Sequence, residues 1–330
     1  MKAMKNKLFL LLLIICLLCG CGTGRSAEGT SDLDEGTHAS QQDTSADGVS
    51  SSDSSASDMV TRDNTPVVLV PSAPGIRVDE NEYIRLDYSN STEGYITATY
   101  LGSNEKVKLQ ITGPDDNIYT YNISTDPEVF PLTAGSGDYK IQAFEHVIDS
   151  QYSLVFDGTV TVSSIDEFAP YLYPNQYVWF TEDSAAVKKG AELASGCKDD
   201  IEVITSIYNY IISNITYDYD EAASVKSGYI PDVDSVLSSG RGICFDYASL
   251  TASMLRSQSI PTRLEIGYVG DTYHAWISTY VDEIGWVNGI IEFDGVNWRL
   301  MDPTFASSNS EKRLKEYIGD GSNYILKFKY

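Results

Sequence analysis

A cysteine that opens a helix is a candidate nucleophile, and Cys244 stands at such a place in Gly240-Arg241-Gly242-Ile243-Cys244-Phe245-Asp246-Tyr247-Ala248. Beyond it Tyr247, Ala248, Thr251, Met254 and Leu255 recur at three- and four-residue spacing, which predicts a helix with one apolar face. Gly242 is expected to supply the non-helical turn before it. The positive end of the helix dipole and the unpaired N–H groups of the first turn favour thiolate over thiol. The same N–H groups can receive an oxyanion.

Cysteine acyl chemistry also needs an imidazole to pair with the thiolate and protonate the leaving group, and a group that holds the imidazole's tautomer. Of the three histidines, only His274 lies in the C-terminal region. Residues 262–269 alternate, Gly270-Asp271 reads as a turn, and Tyr273-His274-Ala275-Trp276 opens a strand that runs back. A further hairpin is expected on Asp294-Gly295, with a return strand over 296–301 that ends in Asp302-Pro303-Thr304. If that strand pairs antiparallel with the one starting at Tyr273, Asp302 falls beside His274 and accepts its N–H. Each residue also has a plain reading: a small core cysteine, a structurally satisfied strand histidine, and a turn aspartate before proline.

The elements that must position these residues are legible in outline. Asp199 and Asp200 can cap a helix whose apolar stripe is Ile201, Ile204, Ile207, Tyr208, Ile211 and Ile212. An aromatic-rich exit follows at Asn214-Ile215-Thr216-Tyr217-Asp218-Tyr219, then a loop through Gly228 and Pro231. From about 66 to 165 the pattern has period two, with turn signals at Gly113-Pro114-Asp115-Asp116 and Ala134-Gly135-Ser136-Gly137. Six to eight short strands there predict an all-β, immunoglobulin-like sandwich. His146 reads as an edge-strand residue of that unit.

The N-terminus is not fold material. Lys2, Lys5 and Lys7 precede an apolar run from Leu8 to Leu18, which reads as a signal peptide over residues 1–20. Leu18-Cys19-Gly20-Cys21 resembles a bacterial lipoprotein processing box. By that resemblance Cys21 becomes the lipidated first residue of a membrane-anchored, extracytoplasmic protein. Residues 21–65, rich in Ser, Thr, Asp and Gly, are expected to be a disordered tether, with His38 solvated in it. A formal net charge of −24 argues against nucleic acid as a partner. Cys16 and Cys19 leave with the signal, so Cys197 and Cys244 are the cysteines of the folded part. That excludes a disulfide framework, although one Cys197–Cys244 bridge stays open. No cysteine–histidine spacing suits a metal, and no cofactor is expected.

From about Tyr171 onward the chain resembles the transglutaminase-like superfamily, relatives of papain-type cysteine peptidases. The resemblance rests on Gly242-x-Cys244-x-Asp246-Tyr247-Ala248, Ile260-Pro261-Thr262-Arg263, His274-Ala275-Trp276, Trp298 and Asp302-Pro303-Thr304. It implies an α+β papain-like core over 166–330, with Cys244 as nucleophile, His274 as acid/base and Asp302 as orienter. It also implies an aromatic donor to the oxyanion, for which Tyr217 and Tyr219 stand even. Trp276 either shields the site or is core. Asp246 is expected to bond backbone or Arg241, and Cys197 to be an inert thiol. The segment 282–295 is longer than the family's usual turn and is expected to add a hairpin at the cleft rim. The acidic calcium loops of animal cross-linking enzymes have no counterpart, so calcium dependence does not carry over. The function implied is amide acyl transfer on a protein or peptide, including cell-wall peptide, by hydrolysis or transamidation. The alternative is a non-catalytic surface module whose cleft binds such a peptide.

Overall fold

A computed structural model describes residues 62–163, 165–269, 271–282, 284–293, 298–300 and 324–330. The signal peptide, Cys21, His38 and nearly all of the expected tether lie outside the described residues, as do Asp302 and the Asp294-Gly295 turn.

The N-terminal part is β-rich. Its strands are β1 (Val78–Glu80), β2 (Ile84–Asp87), β3 (Tyr95–Tyr100), β4 (Val107–Thr112), β5 (Ile118–Asn122), β6 (Glu128–Pro131), β7 (Gly137–Ile148) and β8 (Gln151–Val162). They form two four-stranded antiparallel sheets, β1-β2-β3-β6 and β5-β4-β7-β8. Alternation decides which face is inside: Val107, Leu109 and Ile111 of β4 and Tyr139, Ile141 and Ala143 of β7 are buried, with more exposed residues between them. Ile84, Leu86, Ile96 and Ala98 from the other sheet join them in the core.

Helices then take over: α1 (Ala185–Ala194), α2 (Asp200–Asn214), a short β9 (Thr216–Tyr217), α3 (Tyr219–Ser224), α4 (Val233–Ser239), a short β10 (Arg241–Gly242) and α5 (Cys244–Arg256). Asp199 caps α2, its carboxylate accepting the Glu202 amide at 2.8 Å, and Val203, Ile204, Ile207, Tyr208 and Ile211 bury the expected stripe. A mixed α/β core is completed by β11 (Thr262–Val269), β12 (Thr272–Val281), β13 (Gly285–Phe293), β14 (Trp298–Leu300) and β15 (Tyr324–Lys329), in the antiparallel order β14-β13-β12-β11-β15.

Two expectations about chain path change here. The extra segment after residue 282 becomes β13 and occupies the place beside β12, from Ile277 onward, with a register shift between Ile277 and Ser278. The return strand β14 therefore pairs with β13, not with the histidine strand, and runs in the same direction as β12. The pairing argument that set Asp302 beside His274 fails for that reason: each inserted antiparallel strand reverses direction and moves its successor one place outward. The expected tether also ends earlier than residue 65. The Arg62 guanidinium bonds Asp200 at 2.6 Å and also the Gln258 carbonyl, while Val67 N–H donates to Ser257 O at 2.8 Å.

The described residues form one compact unit, and strands of the β-rich part share a core with the helical part. Tyr330, which exchanges backbone hydrogen bonds with Leu264, stacks edge-on against Tyr119, Tyr121 and Tyr177. Arg256, the last residue of α5, is buried and donates to the carbonyls of Thr262 (3.0 Å), Tyr173 (2.8 Å) and Tyr330 (2.8 Å). The guanidinium thus ties the far end of the cysteine helix to the segment before α1, to β11 and to the residue that follows β15.

Candidate active site

Cys244 is the first residue of α5, as its sequence context predicts. The turn before it comes from Gly240, not Gly242: Gly240 caps α4 in the left-handed region at φ 62°, where a side chain would be strained. Gly242 instead gives space, since a Cβ there would meet Asp246 Cβ at 2.7 Å. Asp246 is fully buried, and its carboxylate reaches back to accept the Ile243 amide at 2.8 Å. The other oxygen accepts the Tyr229 hydroxyl at 2.7 Å. Burial pushes this carboxyl up, and the two donors oppose the rise. Of the two expected partners for Asp246, the backbone holds. Arg241 is instead paired with Asp218 at 3.0 Å.

The two short strands β9 and β10 lie parallel, with Thr216 opposite Arg241 and Tyr217 opposite Gly242. Asp218 N–H continues the ladder to Gly242 O at 2.9 Å. This pairing carries the half-buried Tyr217 to the start of α5, where its hydroxyl is within hydrogen-bonding reach of both the Cys244 sulfur and the Cys244 amide. Its ring packs against Tyr219 and Tyr247, with centroids 4.9 Å and 6.3 Å away. Tyr219 is 60% exposed on the outer side of that stack. Of the two tyrosines, Tyr217 is the one whose hydroxyl lies at Cys244.

Burial pushes the Cys244 thiol up, while the amides of Ala275 and Phe245 and the Tyr217 hydroxyl pull the other way. Desolvation is the largest of these influences. The Ala275 amide can turn to the sulfur because β13 pairs with β12 only from Ile277 on. His274 is the residue just before Ala275 on β12. It is buried, its Nε2 has no hydrogen-bond partner among the described residues, and burial lowers its pKa to about 4. Across the ladder from His274 lies Gly267, where a Cβ would meet Ile325 O at 2.0 Å. Only glycine fits there.

Trp276 is core: it is buried, and its indole N–H donates to Glu265, its cross-strand partner, at 2.7 Å. Ser278 Oγ donates to the same carboxylate oxygen at 2.7 Å. Burial drives the Glu265 carboxyl upward. Glu265 and Tyr229 escape sequence reasoning because neither stands near a recognisable motif. The one available signal for Glu265 is an acid set between the apolar Leu264 and Ile266 of a strand. Cys197 lies just past α1 as a free thiol, raised chiefly by burial, with Sγ 3.6 Å from Leu193 O. Both described cysteines are free, so the bridge left open by the sequence does not form. His146 is in the β7–β8 hairpin, Nε2 at 2.9 Å from Asp149 O.

Residues 188–289 match the family model of the transglutaminase-like superfamily. They form a transglutaminase-like domain. The match takes in Cys244 and His274 and ends before Asp302. Two curated relatives carry no assigned activity: the UPF0252 protein of Methanocaldococcus jannaschii is 25% identical over 217 residues, 58% of this chain and 60% of that one. An uncharacterised protein of Mycobacterium leprae is 40% identical over 118 residues, 30% of this chain and 36% of its own. The chain thus spans less than two thirds of each relative. Among solved structures, red sea bream transglutaminase overlays with a TM-score of 0.24 at 14% identity, covering 64% of this chain and 48% of its own. A provisionally assigned cysteine protease of Cytophaga hutchinsonii overlays with a TM-score of 0.35 at 14% identity, covering 78% and 74%. At such scores the overlays add no weight. The transglutaminase-like domain is established by the sequence match and by the helix-then-sheet order that the motifs require.

Chemically, the arrangement surrounds one sulfur with donors that strengthen once its proton leaves. The Tyr217 hydroxyl also lies within hydrogen-bonding reach of the Cys244 amide.

Proposed function

We propose that this protein is a cysteine acyl-transfer enzyme acting on amide bonds of protein or peptide substrates. The observation that carries the reading is the grouping around one thiol: Cys244 at a helix start, the Tyr217 hydroxyl and the Ala275 amide on it, and His274 next in the chain. Cys244 gives its proton to His274 as it attacks the carbonyl. The thiolate and imidazolium appear together, so the pair gains no net charge in a buried place where a lone charge is costly. The Cys244 amide and Tyr217 receive the oxyanion, and the imidazolium then protonates the leaving amine. Water or a second amine resolves the thioester, giving hydrolysis or transamidation. Asp302 is assigned as orienter from its place in Asp302-Pro303-Thr304, and the orphan His274 Nε2 is the atom it would serve.

The same reading places residues 1–20 as a lipoprotein signal, Cys21 as the lipidated residue, 21–65 mainly as a tether and 66–165 as an immunoglobulin-like sandwich that packs on the 166–330 domain. The protein then works outside the cytoplasm on a membrane surface, where cell-wall peptide is one available substrate. No helix among the described residues is long and apolar enough to cross a membrane.

Iodoacetamide labelling read peptide by peptide across pH tests it. Cys244 is expected to react faster than Cys197 near neutral pH, because His274 can take its proton as it attacks, and His274→Ala to abolish that advantage. A Cys244 that titrates as a free thiol, or a faster Cys197, would turn the reading to a binding module.

A further inference from the structure

Side chains directly opposite one another on β12, β11 and β15 form rows across the sheet, and the row that meets the sulfur is Ala275, Ile266 and Phe328. Ala275 and Ile266 are buried, and Phe328 packs against the core. The next row on the same face is Tyr273, Tyr268 and Ile325. These three are 56%, 38% and 52% exposed. The core face of the sheet therefore continues past the sulfur with large side chains that the fold leaves uncovered. The step from the covered row to the open one is two residues along β12, about 7 Å.

The open row faces the reacting atom. The Tyr273 phenol lies within electrostatic reach of the Cys244 sulfur and of Tyr177. The Tyr177 ring in turn packs edge-on against Phe245, the residue after Cys244, with centroids 5.3 Å apart. None of the three side chains in the row is an acid or a base, in a chain whose formal net charge is −24. The Tyr268 and Tyr273 rings have centroids 5.3 Å apart and planes at 63° to each other. Two rings at that angle make a corner and not the flat face on which a sugar ring stacks, and Ile325 stands beside Tyr268 as its third side. A corner of that kind takes a compact apolar side chain.

We propose that Tyr273, Tyr268 and Ile325 form a specificity ledge that receives an aromatic or branched aliphatic side chain of the peptide, next to the carbonyl attacked by Cys244. The inference deepens the acyl-transfer reading and rests on it. A side chain on the residue that supplies the carbonyl, or on its neighbour, spans the step of about 7 Å from sulfur to ledge. Burial of apolar surface at the ledge then favours such residues, and an acidic side chain there would lose its hydration for no partner.

Alkylation of the full chain by Nα-acetyl chloromethyl ketones tests the ledge without requiring turnover, since the Cys244 sulfur forms a thioether and chloride leaves. The probes are the L-phenylalanine, L-leucine, glycine and L-aspartate ketones, with rates read at the Cys244 and Cys197 peptides and divided by the iodoacetamide rate of the same variant. The phenylalanine and leucine ketones are expected to label Cys244 at least about tenfold faster than the glycine ketone, and the aspartate ketone more slowly than glycine. Tyr273→Ala and Ile325→Ala should each lower the phenylalanine-to-glycine ratio by about fivefold, and Tyr273→Phe should keep it. Leu326→Ala, beside Ile325 but on the opposite face of β15, should leave the ratio unchanged. The three ledge residues are half exposed, so these variants are expected to fold. Equal rates for the four ketones at a Cys244 that iodoacetamide still prefers over Cys197 overturn the ledge alone. A phenylalanine preference that survives both Tyr273→Ala and Ile325→Ala does the same. A Cys244 no faster than Cys197 with every reagent overturns the acyl-transfer reading and the ledge with it.

Discussion

Tyr217 stands opposite Gly242 in a two-residue parallel pairing, and this brings a phenol to Cys244 from a segment 27 residues earlier in the chain (244 − 217). The helix α2 ends and α5 begins at the two sides of that pairing, so the positions of Tyr217 and Cys244 are set by this short parallel ladder rather than by the large sheet.

Removal of that hydroxyl should be felt in turnover and not in binding. Tyr217→Phe is expected to lower kcat by about a hundredfold, the usual loss for one oxyanion donor, with KM nearly unchanged. Tyr219→Phe should stay within about twofold, since that ring is outermost in the stack. Steady-state kinetics on an amide substrate check this. Equal losses from the two variants would refute the assignment of Tyr217.

His274 should make the fold sensitive to mild acid. Its folded pKa is lowered to about 4 from an ordinary 6.5 by burial. Between those values the unfolded chain takes up a proton that the folded chain refuses. The stability is thus fully present above pH 6.5 and is lost as pH falls towards 4. Wild type should lose up to about 3 kcal/mol more than His274→Ala over that range. Urea midpoints at a series of pH values compare the two slopes, and the difference isolates His274 from buried acids such as Glu128 and Glu265, which bias the slope the other way. Parallel profiles would show that His274 titrates normally.

Tyr229→Phe should leave one oxygen of a buried carboxylate without its donor. A cost of about 1–3 kcal/mol in unfolding free energy is expected. Cys244 labelling should also change at constant pH, because Asp246 holds the Ile243 amide just before Cys244. Stability that falls with labelling unaltered would confine Tyr229 to a packing role.

Arg256→Lys should be destabilising by about 3 kcal/mol, because an ammonium cannot reach three carbonyls in the directions of a guanidinium fork and each missed carbonyl stays buried. Arg241→Lys, at an exposed pair with Asp218, should barely move the melting temperature. Thermal unfolding of both variants gives the comparison, and similar shifts would contradict it.

The helix start at Cys244, the cap at Asp199 and the alternation over β3, β4, β7 and β8 were readable because each is set by near neighbours: dipole, first-turn amides and side-chain period. The same local rules could not choose between Tyr217 and Tyr219, which differ only in which side of a non-local strand pair they occupy. Nor could they find Tyr229 or Glu265, whose partners lie 17 and 11–13 residues away in other elements. The place of β13 was hidden for a related reason: an inserted strand looks like a hairpin arm in sequence, and only ladder pairing shows which neighbour it displaces.

What the sequence determined by itself was the order of chemistry-bearing residues and the type of element carrying each, since helix starts and strand alternation are local properties. Tertiary structure alone decided the burial of that chemistry. Burial raises the Cys244 thiol and lowers the His274 imidazole, and burial is set by the residues that close over a site from the rest of the chain.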